Sequence, residues 1–294
     1  MTSVFGHTTH DRYGEEFVAG GCAYYGARVY RQLGDDVHLG TLVGEDFACK
    51  EELEGLDRTL VRHGETTLFT NLYPDDGPRL QLLDAWAPMM RPEMFPDDLL
   101  ADDLVHLAPV LGELDLAEWK EAVDAERLAI SVQGWIKAPD PSARRDFADV
   151  ALPEGSDIVV QKPWDVTVDQ LRGVDVACLS DEDLIDQGDL KERLIEAIPV
   201  VALTHGAEGA SIFVDGAEHR VGIYEEAELF DPTGAGDTFA AAFLHRLQRG
   251  DEPVQAGRFA AAAASIVIEH RGGAGIDRLS EASERAESIE WSSP

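Results

Sequence analysis

The chain has 294 residues, 44% of them hydrophobic, and its 24 Lys and Arg residues are outnumbered by 57 Asp and Glu residues, which gives a formal net charge of −33. This charge argues against a nucleic-acid partner, because phosphate backbones are bound by clustered Lys and Arg. The hydrophobic content argues against disorder, and no apolar run approaches the ~20 residues that span a bilayer. We therefore expect a cytoplasmic protein with no membrane contact.

The acidic excess also predicts an adaptation to salt. Only five of the basic residues are lysines. At about 1 M salt the Debye length is roughly 3 Å, so repulsion between surface carboxylates is screened. We therefore expect a halophile-like, salt-rich cytoplasm. The three cysteines, at positions 22, 49 and 178, are scattered and form no CxxC pair, which favours buried free thiols over disulfides or a zinc site.

In the first half of the chain, predicted strands and helices alternate around one hairpin. The sequence PDDGP at 74–78, between two alternating runs, is the hairpin signature. The predicted strands are 3–5, 17–19, 37–44, 66–73, 79–85, 104–107 and 128–132, and the predicted helices are 23–33, 47–56 and 114–125.

The second half continues the alternation and ends in two apolar helices. The predicted strands are 157–161, 174–179, 200–203, 210–214, 219–221 and the strand end 227–230, and the predicted helices are 167–172, 182–198, 239–249 and 254–269. This order predicts an α/β fold, a mostly parallel sheet with helices on both faces. There is no linker or internal repeat, so we expect a single domain over 1–294.

A glycine turn at residues 231–239 (DPTGAGDTF) joins the predicted strand end 227–230 to a helix. Amide groups at a helix N-terminus are unpaired and favour anions, so Gly234 and Gly236 suit a phosphate. Asp237 would repel that phosphate unless it accepts a proton from the attacking group. The competing interpretation is an ordinary turn in which Asp237 caps the helix.

Other phosphate and metal motifs are missing from the sequence. There is no GxxxxGK[ST] loop, and Phe239 occupies the position of the third glycine of a dinucleotide fingerprint. His7 and His10 are close in sequence but lack a third ligand nearby, so local turn residues are the favoured interpretation.

Four motifs in order resemble the ribokinase/PfkB family of carbohydrate kinases, over almost the whole chain. They are the turn at 231–237 with its Ala-rich helix, GG at 20–21 followed by LG at 33–34 and GED at 44–46, THGAEG at 204–209, and FAAAA at 259–263. The resemblance implies a ribokinase-like three-layer α/β/α sandwich. It also implies a small β-strand lid from about 12–20 and 66–86.

The resemblance further implies an ATP- and Mg²⁺-dependent phosphotransferase that acts on an alcohol group. Asp237 would be the base, and the amides of Gly234, Ala235 and Gly236 would form the anion hole. The implied acceptor-binding residues are Asp11, Gly20, Gly21, Tyr25, Arg79 and Gln133, and the implied nucleotide-binding residues are Thr204, Gly206 and Gly209. Asp183, in the SDED sequence at 180–183, would hold magnesium through water.

Within the family the sequence is similar to archaeal myo-inositol kinases, through GGCAYY at 20–25, RLQLL at 79–83 and VQG at 132–134. Tyr25 replaces the usual Asn, which argues against a furanose-type contact. We expect a small polyol or sugar as acceptor, with myo-inositol as the leading candidate. The alternatives are another sugar, a nucleoside, or a non-catalytic small-molecule sensor on the same scaffold. A monomer and a homodimer are both compatible with the sequence.

Overall fold

The computed structural model describes residues 1–72, 80–147 and 152–293. The strands are β1 Thr2–Phe5, β2 Thr9–Tyr13, β3 Glu16–Gly20, β4 Val37–Val43, β5 Asp57–Arg62, β6 Leu68–Leu72, β7 Leu80–Ala85, β8 Leu104–Leu107, β9 Arg127–Ser131, β10 Lys137–Asp140, β11 Asp157–Gln161, β12 Val176–Ser180, β13 Val200–Thr204, β14 Ala210–Val214, β15 Ala217–Val221 and β16 Trp291–Ser292. The helices are α1 Cys22–Gln32, α2 Leu116–Ala122, α3 Val168–Leu171, α4 Leu190–Ala197, α5 Ala235–Gln248, α6 Pro253–Val267 and α7 Ala282–Ser288.

A ten-stranded sheet forms the centre of the fold, in the order β16-β15-β14-β13-β12-β9-β8-β1-β4-β5. The seven strands from β13 to β5 pair in parallel, and β14 to β16 add an antiparallel edge. The prediction of a mostly parallel sheet is therefore confirmed. Parallel strands bring their carboxyl ends to one edge, where ligands of open α/β sheets bind.

Two hydrophobic cores lie on the two faces of this sheet, because neighbouring residues of a strand point to opposite faces. Val4 of β1 belongs to the core beneath α1, α5 and α6, whereas Phe5 belongs to the core that contains Trp119 and Leu194 of α2 and α4. Both Val4 and Phe5 are fully buried. This is the three-layer sandwich predicted from the sequence.

A second sheet of six strands, in the order β10-β11-β7-β6-β2-β3, stands beside the first. Its strands β2, β3, β6 and β7 include described residues of both predicted lid segments. It is larger than the small lid expected from the sequence, because β10 and β11 join it through antiparallel pairing of β11 with β7. Strand β2 was not predicted as a separate strand.

Three predicted elements were wrong. Residues 47–56 contain only the 3₁₀ turn Glu51–Leu53, because Gly55, with φ of 76°, leads directly into β5, a strand that was also not predicted. The predicted helix 182–198 is divided, because Asp186 has a φ of 58° and only Leu190–Ala197 is α-helical. Residues 227–230 form no strand. Within the described ranges, no helix is long and apolar enough to cross a bilayer.

Candidate active site

The N-terminus of α1 lies at the carboxyl end of β1 and begins with two glycines. Gly21, the N-cap of α1, has φ of 102° and ψ of 143°, a conformation that side chains disfavour. A Cβ at Gly21 would also lie 2.3 Å from the carbonyl oxygen of His7. The chain therefore needs glycine here for the close approach of α1 to the end of β1.

Asp11 lies against the other glycine of this pair. Strands β2 and β3 pair antiparallel, with Thr9 opposite Gly20 and Asp11 two residues further along β2. A Cβ at Gly20 would lie 2.4 Å from Oδ2 of Asp11, and the Thr9 hydroxyl donates to Oδ1 of Asp11 at 3.1 Å. Asp11 is buried. The structure thus brings together Asp11, Gly20 and Gly21, three of the predicted acceptor-binding residues.

The turn at 231–237 faces α1. Gly234 is the N-cap of α5 with φ of 80°, and a Cβ there would be 3.4 Å from the ring of Tyr25. The predicted acceptor-binding residue Tyr25 therefore packs on the predicted anion turn. Asp231 stabilises the turn, because its carboxylate accepts hydrogen bonds from the amides of Thr233 at 2.9 Å and Gly272 at 2.8 Å.

The three predicted anion-hole amides are not equivalent. The amide of Ala235 donates to the carbonyl oxygen of Pro232 at 3.1 Å and so closes the turn. Gly234 precedes α5, and Gly236 is in its first turn, where helical amides lack an intrahelical acceptor. The amides of Gly234 and Gly236 are therefore better placed to meet an anion than that of Ala235.

Asp237 is the third residue of α5, so it is not the N-cap that the competing interpretation required. It is half-buried. Burial raises the pKa of Asp237, the hydrogen bond from the Cys22 side chain and the charge of Lys137 lower it, and the charge of Asp183 raises it. Three elements, α1, β10 and the turn that follows β12, thus converge on this carboxylate.

Cys22 and Lys137 are site residues that the sequence did not reveal. Cys22 is the first residue of α1 and is buried, and burial raises the pKa of its thiol well above the usual value, so that it stays protonated at neutral pH. Lys137 begins β10 and acts on both Cys22 and Asp237. Because of Pro139 and Pro141, the sequence predicted an irregular segment here. Strand β10 was therefore missed, and so was the orientation of the Lys137 side chain that the strand determines.

Asp183 lies in the 3₁₀ turn Glu182–Leu184 after β12 and is buried. Its Oδ2 accepts from the amide of Ser180 at 2.8 Å. In the part of the chain that the structure describes, no three His, Cys, Asp or Glu side chains group as a metal site. A carboxylate already held by backbone suits a Mg²⁺ ion that keeps water and donor oxygens as its other ligands, which fits the expected contact through water.

The predicted nucleotide-binding residues Thr204, Gly206 and Gly209 lie in one turn, next to the 3₁₀ turn that contains Asp183. Thr204 ends β13, and its carbonyl oxygen accepts from the amide of Asp181 at 2.9 Å. Gly206 and Gly209 have φ of 55° and 89°, and a Cβ at Gly209 would meet the carbonyl oxygen of Val221 at 2.1 Å. This turn therefore packs at the start of the segment 222–230, which leads into the anion turn.

Of the two remaining predicted acceptor-binding residues, one lies within the described part of the chain. Gln133 lies on the 3₁₀ segment Val132–Ile136 after β9. Arg79 lies outside the described residues.

The two histidines considered as a metal pair have protein partners. Nε2 of His7 donates to the carbonyl oxygen of Pro88 at 2.9 Å, so Nδ1 accepts from the Thr67 hydroxyl at 3.0 Å. Nε2 of His10 accepts from the amide of Ala48 at 3.0 Å. Burial lowers the pKa of both imidazoles, which keeps them neutral.

Glu113, which was not identified from the sequence, has a buried carboxylate that holds the backbone next to the site in place. Glu113 is fully buried. Its oxygens accept from the amides of His7 at 3.0 Å, Val110 at 2.8 and 3.0 Å, and Leu111 at 2.8 Å. Glu113 therefore ties the loop after β8 to the end of β1, directly beneath the Gly21 turn.

Residues 169–278, which include the anion turn, Asp183 and the 204–209 turn, match the pfkB family carbohydrate kinase profile. The chain carries a pfkB-family domain on a ribokinase-like fold. Among curated relatives, the nucleoside kinase of Methanothermobacter thermautotrophicus is 42% identical over 73 residues, which are 25% of this chain and 23% of that protein. The 5-dehydro-2-deoxygluconokinase 2 of Bacillus cereus is 36% identical over 91 residues, 31% of this chain and 27% of that protein. These matches span only about a quarter of each relative.

Solved structures of ribokinase-family proteins match this chain over nearly its whole length. A pyrophosphate-dependent kinase in the ribokinase family, complexed with a pyrophosphate analog and myo-inositol, superposes with a TM-score of 0.75 at 22% identity and covers 92% of this chain and 96% of that one. Arabidopsis thaliana ribokinase, complexed with ribose and ATP, superposes with a TM-score of 0.70 at 18% identity and covers 97% of this chain and 98% of its own. At these identities the matches establish the fold.

Proposed function

We propose that this pfkB-family chain is a kinase that transfers a phosphoryl group from ATP to a hydroxyl of a small polyol or sugar, with myo-inositol as the leading acceptor. One observation carries the proposal. Asp237, in the first turn of α5, lies with Cys22 at the start of α1, next to the glycine pair that contacts Asp11. The proposed proton acceptor, the proposed anion-binding turn and the proposed acceptor-binding carboxylate are thus connected through the N-terminus of α1, and we take the space between them as the substrate cleft.

In the proposed reaction, the acceptor hydroxyl lies between Asp11 and Asp237. Asp11 accepts a hydrogen bond from a neighbouring hydroxyl and fixes the orientation of the acceptor. Asp237 takes the proton of the attacking hydroxyl as the new oxygen–phosphorus bond forms, a contribution of roughly 10²–10⁴-fold in rate. The amides of Gly234 and Gly236 stabilise charge on the transferring group.

Mg²⁺ fits the carboxylate of Asp183, whose charge acts on Asp237. Asp183 would hold the ion through water, and its backbone hydrogen bond from Ser180 orients the carboxylate. The ion would neutralise charge on the donor phosphates.

Two observations favour different phosphoryl donors. Leu229 and Phe230, which precede the anion turn, are each 70% exposed, and an adenine ring would cover such apolar side chains. This favours ATP. The alternative is inorganic pyrophosphate, because a solved structure with the same fold is a pyrophosphate-dependent kinase.

Support for the acceptor comes from the same comparisons. The pyrophosphate-dependent kinase was solved with myo-inositol, and the curated relatives include a nucleoside kinase and a 5-dehydro-2-deoxygluconokinase. Asp11, which is buried against Gly20, suits an acceptor that presents neutral hydroxyl groups. We therefore rank a cyclic polyol first, another sugar second and a nucleoside third.

The test is a product assay with Mg²⁺ and molar KCl. ATP and pyrophosphate are each paired with inositols, pentoses, hexoses and nucleosides, and phosphate esters are detected by ³¹P NMR. We expect an inositol phosphate with ATP, and a loss of at least about 10²-fold in kcat for Asp237→Asn. The exposed Asp277→Asn is the matched control. An Asp237→Asn variant as active as the wild type would refute the role of Asp237, and binding of both substrates without ester formation would indicate a sensor.

A further inference from the structure

The inner face of the six-stranded sheet holds a basic residue beside the reacting centre. Lys137 pairs with Gln161 and Pro139 pairs with Val159 across β10 and β11, so these side chains share one face of the sheet. Val159 packs against the core that contains Cys22 and Tyr25. The face that carries Lys137 is therefore directed toward α1 and the cleft.

A second contact fixes this end of the sheet to the opposite wall. Gln161, the cross-strand partner of Lys137, donates from Nε2 to the carbonyl oxygen of Glu182 at 2.7 Å. Glu182 precedes Asp183 in the 3₁₀ turn after β12. Half-buried Lys137 thus lies where the second sheet meets the turn of Asp183, and its charge acts on Cys22 and Asp237.

The position of Lys137 matters because the groups around it are negatively charged. Asp11, Asp183 and Asp237 are acidic, and a phosphoryl donor brings further negative charge. In the described strands of the second sheet, the other basic side chain is Arg12, which lies one residue from Asp11 and so on the opposite face, where it pairs with Asp84 at 3.4 Å. Lys137 is the basic side chain that these strands direct into the cleft.

We propose that the ammonium group of Lys137 binds the transferring phosphoryl group. This inference rests on the proposed kinase function. As the acceptor oxygen bonds to phosphorus, the bond from phosphorus to the leaving oxygen of the donor breaks, and the hydroxyl proton passes to Asp237. Lys137 keeps its proton throughout and neutralises charge on the oxygens of the group in transfer. Before the donor binds, the same charge lowers the pKa of Asp237 against the larger effect of burial.

Lys137→Met and Lys137→Arg test the proposal, with Lys162→Met as the matched control. Lys162 follows Gln161 and is exposed. We expect Lys137→Met to lower kcat by about 10²–10³-fold, as the loss of an oxyanion donor does, while the KM of the acceptor changes little. Lys137→Arg should recover most of the rate, and Lys162→Met should match the wild type.

A pH profile separates this role from a structural one. Asp237 faces Cys22, Lys137 and Asp183. Removal of the lysine charge should move the acidic limb of kcat/KM to higher pH. An unmoved limb, a wild-type kcat in Lys137→Met, or a raised acceptor KM at unchanged kcat would each overturn the proposal.

Calorimetric titration with inorganic tripolyphosphate decides the question without turnover. We expect Lys137→Met to bind this probe at least about tenfold more weakly, as the loss of one hydrogen bond from a charged group implies, and Lys162→Met to bind it normally. Equal binding by all three proteins would overturn the proposal. If the wild type phosphorylates no acceptor, the kinase function fails, while the titration still shows whether Lys137 binds phosphate. Thermal melting of each variant excludes misfolding as the cause.

Discussion

The side chain of Cys22 hydrogen-bonds to the carboxylate of Asp237, and this contact joins the first turns of α1 and α5. The thiol is buried and its pKa is raised, so it stays protonated and donates its hydrogen bond to the carboxylate. Because the bond favours the ionised carboxylate, it lowers the pKa of Asp237 against the effect of burial. The acceptor end of the cleft is therefore coupled to the proposed base.

Cys22→Ala should shift the pH dependence of catalysis. Loss of the hydrogen bond raises the pKa of Asp237, so the acidic limb of kcat/KM should move to higher pH and activity should fall first under mildly acidic conditions. Cys22→Ser keeps a donor and should retain a limb close to that of the wild type. The measurement is kcat/KM from pH 4.5 to 8, and a limb unchanged in Cys22→Ala would contradict the assignment.

Alanine substitutions at the adjacent glycines Gly20 and Gly21 should affect different properties, acceptor binding at Gly20 and stability at Gly21. At Gly20 a Cβ would meet the end of the Asp11 side chain, which can rotate away, so we expect a normal fold and an acceptor KM about tenfold higher, the effect of one lost charged hydrogen bond. At Gly21 the obstacle is the carbonyl oxygen of His7, and φ is 102°. We expect Gly21→Ala to lose at least about 1–3 kcal/mol of stability.

Gly250→Ala is the control for this pair, since Gly250 has φ of 86° but no atom within 4 Å of its Cβ position. The loss of stability of Gly250→Ala should therefore reflect the backbone strain alone. Urea unfolding gives the stabilities, and initial rates give KM. Destabilisation of Gly21→Ala no greater than that of Gly250→Ala would show that the contact with His7 is unimportant.

The sequence predicted the fold well where local signals agreed with the tertiary structure. Strand β11 was predicted with its observed bounds, and α1 and β4 to within about a residue at each end. Glycines marked both helix N-termini at the site, because only glycine fits the conformation at Gly21. Asp11, Gly20, Gly21, Tyr25 and the turn of Asp237 were all predicted, and the structure places them together.

The missed residues depend on contacts between distant parts of the chain. Pro139 argues against a strand, yet β10 is at the sheet edge, where a missing amide is tolerated. Lys137 acquires its direction only from pairing with β11. Glu113 is one of 57 acidic residues in the sequence, and only the fold reveals that it is buried against His7. Residues 227–230 read as a strand end because they end in Leu-Phe, but both side chains are exposed.

Glu113 should contribute strongly to stability. Glu113→Ala leaves the buried amides of His7, Val110 and Leu111 without their acceptor, at a cost of about 1–3 kcal/mol for each unpaired group. Glu113→Gln keeps one acceptor oxygen and should lose less. Urea denaturation measures both, with the exposed Glu121→Ala as control. A Glu113→Ala variant as stable as Glu121→Ala would show that solvent replaces the carboxylate at no cost.

Stability should rise with salt, because the formal charge of −33 makes the folded surface repel itself. At about 1 M KCl the Debye length is roughly 3 Å, shorter than most spacings between surface carboxylates. We therefore expect a higher melting temperature in molar KCl than in dilute buffer. A triple variant, Glu284→Gln, Glu287→Gln and Glu290→Gln, removes three exposed charges near the C-terminus. It should melt higher than the wild type in dilute buffer and show a smaller increase with KCl. Equal melting temperatures of the wild type in both buffers would show that charge repulsion does not limit the stability of this fold.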